Sequence, residues 1–538
     1  MAGDKTYVDI SRAKCEQRER LIRDEWKISP KLKLGHNVLE VPKICGILTE
    51  REIAITGDND AVDIIEKIRS QAFTAEEVTL AFCKRAAIAQ QLTNCLTEIC
   101  FEDAIERARQ LDQDRVANPS APWKPLHGLP ISLKDSFNVP GLDSTIGMTY
   151  FANKPAEEYS ALPRLLLDLG AVLYCKTNVP QTMMTADSDN NVWGRTLNPS
   201  NLKLTAGGSS GGEGSLVAMR GSVLGIGTDI AGSIRIPAIC NGIYSARPSS
   251  GIVPFAGQQS PEVPGMPGIE VVAGPMATSS RACSYFMKTI MTAQAWRYDS
   301  SCLHLRWTGE QSKRKPRIGV VLDDGLYTPF PPVRRAIREA AQKLRSAGID
   351  IVELRLPHVA EALGITFGMF ALDGCKFVQN LINEGNEPQV ESVKRVNLAS
   401  IPASSLADYM RLNDRRHQLQ DIYHKFWIEN QLDAIMLPPA PQTATRFDEW
   451  GPVSYTALWN FLDYPAIIIP TGRVRESDVA DGEDSALYGE ADLNNYKLYD
   501  SPETYQDAPL TVQIVGMRQE DEALAGVVEF VDNILNRS

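Results

Sequence analysis

The sequence predicts an α/β fold: a large, largely parallel or mixed β-sheet core covered by helices on both faces. Three observations carry that expectation. Segments with helical apolar spacing alternate with short apolar runs of strand length along most of the chain. The 538 residues are 43% hydrophobic and 23% charged, which is ordinary for a globular chain with a sizeable core. No stretch approaches the roughly 18 uninterrupted apolar residues of a membrane span.

The elements follow in order. Residues 1–45 are charged and weakly periodic and read as an N-terminal helical arm. "FTAEEVTLAFCKRAAIAQQ" places Thr74 and Glu77 at capping-box spacing ahead of an apolar stripe, so a helix starts there. "ALPRLLLDLG" is a helix stopped at Gly170, and "AVLYC" after it is a short buried strand. "RIGVVL" is a strand, and Val333, Ile337, Ala340, Ala341 and Leu344 then mark one helix face, closed by Gly348. "IDIVELRL", "DAIMLPPAP", "AIIIPTG" and "TVQIVGM" are further strands, and "EDEALAGVVEFVDNIL" is a terminal helix. The acidic segment 475–509 is poor in branched apolar residues and reads as a surface excursion between two core strands.

Charge and cysteine usage exclude several classes. With 55 basic and 67 acidic residues the net charge is −12, so no nucleic-acid partner is expected. Ten cysteines are scattered without a C-x-x-C pair or a neighbouring histidine cluster, which argues for buried free thiols and against a metal site. The N-terminus has no apolar h-region, so no secretory signal is expected and a cytoplasmic location is the default.

The stretch "GGSSGGEG", residues 207–214, is the chemical puzzle. A flexible linker fits poorly, because "SLVAMRGSVLGIGTDI" follows with residues suited to a buried helix and strand. A P-loop needs a lysine that is missing, and "GIGTDIAG" lacks the third glycine of a dinucleotide loop. G-x-S-x-G is matched at Ser209 and again at Ser210. A nucleophile elbow would need a preceding strand and a downstream histidine, for which His304, His358, His417 and His424 are available. A second serine, Ser233, follows the small residues Ala231 and Gly232, whose backbone could approach a reacting oxygen. Lys134 ends the apolar run "PISL" in "HGLPISLKD", and a desolvated lysine there could act as a base. His127, in "PLHGLP", reads as a turn residue.

Taken together, "GGSSGGEGSLVAMRGSVLGIGTDIAGSIRIPA", the lysine in "GLPISLKD" and "KTNVPQ" resemble the amidase signature family of serine hydrolases in motif and in order. Lys134 precedes Ser209 by 75 residues and Ser233 follows it by 24, as in the family pattern. "VTLAFCKRAAIAQQLTNC", "YTALWNFLDYPAIIIP" and "APLTVQIVGMR" extend the resemblance to the fungal acetamidase branch, itself similar to fatty acid amide hydrolase. The resemblance implies the amidase signature fold, a large mixed β-sheet core covered by helices on both faces, with 46–538 as one catalytic domain. It also implies hydrolysis of a small-molecule carboxylic amide through a serine acyl-enzyme, with no cofactor and no metal. Ser233 would be the nucleophile, Ser209 a bridging serine held by a cis peptide after Gly208, and Lys134 the final base. Oxyanion donors would come from Ile230, Ala231, Gly232 and Ser233, and Met183 would line the acyl pocket. Position 231 is alanine where many relatives have glycine, which leaves its N–H donor in place. Ser210, Asp229 and Arg235 would be supports, the last two as an ion pair holding the loop. The alternative for Arg235 is a ligand for a substrate carboxylate. Homodimerisation is expected from the resemblance alone. Lipid-amide, ester or carbamate hydrolysis, and the amidase subunit of a tRNA amidotransferase, are the alternatives it leaves.

Overall fold

The computed structural model describes residues 6–33, 35–309 and 314–536. Among them are eleven strands: β1 (Leu96–Ile99), β2 (Pro130–Lys134), β3 (Val172–Thr177), β4 (Leu224–Asp229), β5 (Tyr244–Arg247), β6 (Val272–Ala277), β7 (Arg317–Val320), β8 (Asp350–Glu353), β9 (Ala434–Leu437), β10 (Ala466–Arg473) and β11 (Pro509–Val515). They form one sheet in the order β1-β3-β2-β4-β6-β5-β10-β11-β9-β7-β8. The sheet is mixed, as expected. Parallel pairing joins β2 to β3 and β4, and β7 to β8 and β9. The pairs between β4 and β9 through the middle are antiparallel.

Both faces of this sheet are covered, and the side-chain alternation shows it. In β9, Ala434 and Met436 join one apolar cluster, whereas Ile435 and Leu437 join another. In β10, Ile467 and Ile469 point into the first cluster and Ile468 into a third. A strand buried on both faces reads as a continuous apolar run, which is why "AIMLPP" and "AIIIP" were legible.

Most predicted elements stand where the sequence placed them. The helix Ala161–Asp168 stops before Gly170, whose φ of +93° suits glycine. The helix Pro331–Ser346 buries Val333, Ile337, Ala340, Ala341 and Leu344. The terminal helix runs Asp521–Asn536. The helix Ala75–Thr93 is capped by Thr74, whose hydroxyl accepts from the Glu77 N–H, but the reciprocal half of the capping box is absent. Glu77 instead binds Arg51, and Asp112 accepts the N–H groups of Ala75 and Glu76.

The N-terminal residues form a helix, Tyr7–Arg20, that is fixed by charge rather than by an apolar stripe. Its Lys14 is buried and donates to Glu98 (2.6 Å) and Asp143 (2.8 Å). Residues 1–5 and 34 of the 1–45 arm lie outside the described residues. Segment 475–509 connects β10 to β11. It carries the helix Glu490–Tyr496 and buries Tyr496, Tyr499 and Tyr505 around Phe330, beneath an exposed acidic exterior.

Candidate active site

Strand β2 ends at Lys134, in register with Thr177 of β3, while Ser132 two residues earlier is in register with Gly225 of β4. This places the lysine side chain in the interior, fully buried. Its Nζ donates to Ser209 Oγ (2.7 Å) and to Thr228 Oγ1 (2.7 Å). Neither partner is a carboxylate. Burial pushes the ammonium down to about 7, with Asp229, Asp135 and Glu213 opposing the shift at longer range.

Ser209 stands at the end of the irregular segment 195–208 and just before the helix Gly211–Ala218. The Gly208–Ser209 peptide bond is cis. A Cβ on Gly208 would lie 2.5 Å from the Thr185 carbonyl oxygen, so only glycine fits this approach. The next serine, Ser210, donates its N–H to the Ser233 carbonyl (3.1 Å) and so ties the two serine segments together. Thr228 N–H donates to Ser210 Oγ at 3.4 Å.

Ser233 follows β4 on the turn 230–234, and its side chain has no hydrogen-bond partner among the described residues. Ser209, Ser233, Ile230, Ala231 and Met183 line one cavity of about 450 Å³. No hydrogen bond joins the two serine side chains in this structure. The lysine–serine link is therefore present, and the link to Ser233 is a shared cavity wall.

The turn itself is held from beneath by Asp229. Its carboxylate accepts from Gly232 N–H (2.8 Å), Ile234 N–H (3.1 Å) and Asn460 Nδ2 (2.9 Å), and pairs with Arg235 (2.9 Å). Burial works to raise this carboxyl, yet the Arg235 guanidinium and these hydrogen bonds outweigh it and hold Asp229 well below the usual carboxylate range. Arg235 is fully buried, also binds Gln513 (2.8 Å), and does not line the cavity. The ion-pair reading of Asp229 and Arg235 therefore describes the structure, and a substrate-carboxylate role for Arg235 does not.

One expected oxyanion donor needs correction. The Gly232 N–H is turned into Asp229 and is not free to face the cavity. The N–H groups of Ile230, Ala231 and Ser233 have no acceptor among the described residues. Gly232 has φ +128°, and a Cβ there would meet Thr456 Oγ1 at 2.4 Å, so its glycine serves the turn's path. Thr456 Oγ1 also donates to the Ala231 carbonyl (2.6 Å) and fixes the turn from the opposite side.

The histidine alternative fails on position. None of the six histidines lines the cavity. His127 sits in a turn, its ring edge-on to Trp123 at 4.9 Å.

Sequence reasoning missed two neighbours of the lysine. Thr228, inside the quoted "GIGTDIAG", is its second acceptor. Glu213, inside "GGSSGGEG", is buried behind it and accepts from Ser132 (2.7 Å) and Thr177 (3.0 Å), while burial pushes its carboxyl up to about 8. Their spacing alone gives no sign that they fold against Lys134.

Replacing Arg235 by alanine is expected to strand Asp229 as an uncompensated buried charge. The expected loss is about 3–5 kcal/mol of stability, read from the shift of the chemical denaturation midpoint against wild type.

The mixed sheet thus buries a lysine against a serine, beside a second serine that lines the same cavity. Residues 77–525 match the family model described as Amidase. The chain is 36% identical to an amidase of Gibberella moniliformis, over 96% of this chain and 97% of that one. It is 35% identical to an acetamidase of Emericella nidulans, over 98% of each. The solved structure of a fatty acid amide hydrolase superposes with a TM-score of 0.93 at 31% identity, covering 98% of this chain and 95% of that one. The chain belongs to the amidase family and is a hydrolase of amide C–N bonds. No helix among the described residues is long and apolar enough to cross a membrane.

Proposed function

We propose that the protein hydrolyses carboxylic amides through an acyl-enzyme on Ser233, with Ser209 and Lys134 as its proton relay. The observation that carries this reading is the 2.7 Å hydrogen bond between a fully buried Lys134 and Ser209. Held near 7 by burial, the amine can shed its proton at neutral pH and accept one from Ser209. Ser209 takes the proton of Ser233 as Ser233 Oγ attacks the carbonyl carbon. The carbonyl oxygen becomes an oxyanion, held by the N–H groups of Ile230, Ala231 and Ser233. The proton then returns through Ser209 to the nitrogen, the C–N bond breaks, and ammonia or an amine leaves. Water repeats the sequence on the ester and releases the acid.

The cavity supports acyl groups larger than acetyl. It holds about 450 Å³ and is walled largely by apolar side chains, among them Met183, Met184, Phe255, Phe367, Phe370 and Trp450. Met183 and Thr182 enter this wall with φ of +60° and +70°, a path fixed by hydrogen bonds from their N–H groups to Pro180 and Ile146.

The test is ammonia release from acetamide, hexanamide, benzamide and a long-chain acyl amide. Hexanamide and benzamide are expected to exceed acetamide in kcat/KM. Failure to turn over any member would overturn the reading. For each substrate turned over, kcat/KM should rise with pH through an apparent pKa of about 7, because only neutral Lys134 can accept the proton. A profile flat from pH 5.5 to 9 would exclude the lysine as the base.

A further inference from the structure

The cavity that holds Ser233 is not uniformly apolar. Two charged residues line it among the described residues, Glu262 and Arg395. Arg395 is exposed and donates to the Asp448 carbonyl. Glu262 is different. Its side chain is half-buried and its carboxylate has no hydrogen-bond or ion-pair partner among the described residues. Burial and the nearby Glu270 both raise its carboxyl, and no cation opposes them.

The position of Glu262 is built rather than incidental. Its segment, "GQQSPEVPGMPG", is tied to the strand end that carries the lysine. Ser136, two residues beyond Lys134, donates to Gln258 Oε1 (2.8 Å), and its carbonyl accepts from Gln259 N–H (2.9 Å). Ser260 Oγ then accepts the Glu262 N–H (3.1 Å), and the Met266 N–H closes a turn on Val263 (3.0 Å). Pro261, Pro264 and Pro267 stiffen the path further. The backbone at Glu262 is therefore tied to the catalytic strand, and Glu262 lines the same cavity as Phe255, Phe367, Phe370 and Trp450.

An unpaired carboxylate removed from bulk water costs free energy that a complementary cation restores. Aromatic side chains line the same space, and a ring face presented to it would favour a cation as well. We infer that Glu262 is a specificity subsite for a positively charged or N–H-rich group, so that the substrate is an amphipathic amide. Its body fills the apolar wall, and an ammonium or similar group remote from the scissile bond pairs with Glu262. This rests on the amidase reading of the same cavity.

The test compares isosteric pairs that differ only in a terminal ammonium. Hexanamide against 6-aminohexanamide places the charge on the acyl side. N-hexylacetamide against N-(6-aminohexyl)acetamide places it on the amine side. In at least one pair the wild type should favour the ammonium member in kcat/KM by about 10-fold or more, the order expected of a charge-assisted hydrogen bond. Glu262→Gln should lower that ratio about 10-fold, and Glu262→Lys should bring it below one. Because each ratio is taken within one enzyme preparation, partial loss of folded protein cancels. Turnover with no ammonium preference in either pair, or a ratio unmoved by both variants, would overturn the subsite and leave the amidase reading standing. No turnover of any of the four while benzamide or the long-chain amide is hydrolysed would overturn the subsite alone, and no turnover of any of these amides would overturn both.

Discussion

Replacing Ser233 with alanine is expected to lower amide turnover by about 10⁴-fold or more, the order reached when a covalent nucleophile is deleted from other serine hydrolases. Residual activity would come from the N–H donors of Ile230 and Ala231 and from the cavity, which the substitution leaves in place. Stability should barely change, because the Ser233 hydroxyl makes no hydrogen bond that alanine would break. An unaltered melting temperature beside lost kcat is the expected pair of readings. Retained turnover would mean that another group attacks the carbonyl.

Replacing Lys134 with methionine should cost about 10²–10⁴-fold in kcat, the usual worth of a positioned general base. It should also change stability in a pH-dependent way. The folded-state value is about 7 and the ordinary lysine value is 10.5, so between them the unfolded chain binds the extra proton. The wild type then gains stability as pH rises across that window, and below pH 7 it carries the full cost of a buried charge. Methionine removes that cost, so its stabilising effect should be greatest at pH 6 and shrink toward pH 10. Denaturant midpoints at three pH values would check it. A variant destabilised equally at every pH would contradict the account of a desolvated amine.

Much of the fold was legible because β9 and the first half of β10 carry unbroken apolar runs, because apolar residues dominate β11, and because Gly170 and Gly348 stop their helices. β1 and β5 were not. "LTEI" and "YSAR" are short and carry charge; they pair with β3 and with β6 and β10, while Lys14 pairs with Glu98 and Asp463 with Arg247 across long sequence separations. β6, "VAGPMA", hides a strand behind glycine and proline. It pairs along its length with β4, and a Cβ on Gly274 would press to 2.2 Å from the Ala246 carbonyl oxygen.

The site shows the same division. Lys134, Ser209 and Ser233 could be marked from motif order, and the ion pair of Asp229 with Arg235 from their fit to the same family motif. The engagement of the Gly232 N–H could not, since it depends on a carboxylate folded under its own turn. Nor could Glu262, whose significance lies in what fails to reach it.

The central claim is that a buried, neutral lysine activates Ser233 through Ser209. A fluorophosphonate probe tests it most directly, because it needs an activated serine rather than a particular acyl group. The labelling rate should be measured from pH 5.5 to 9 in wild type and in Lys134→Met, with the modified peptide identified by mass spectrometry. The account predicts modification at Ser233, a rate rising through an apparent pKa of about 7, and near-complete loss in the variant. Modification at a different residue, or a rate in Lys134→Met equal to wild type, would contradict it.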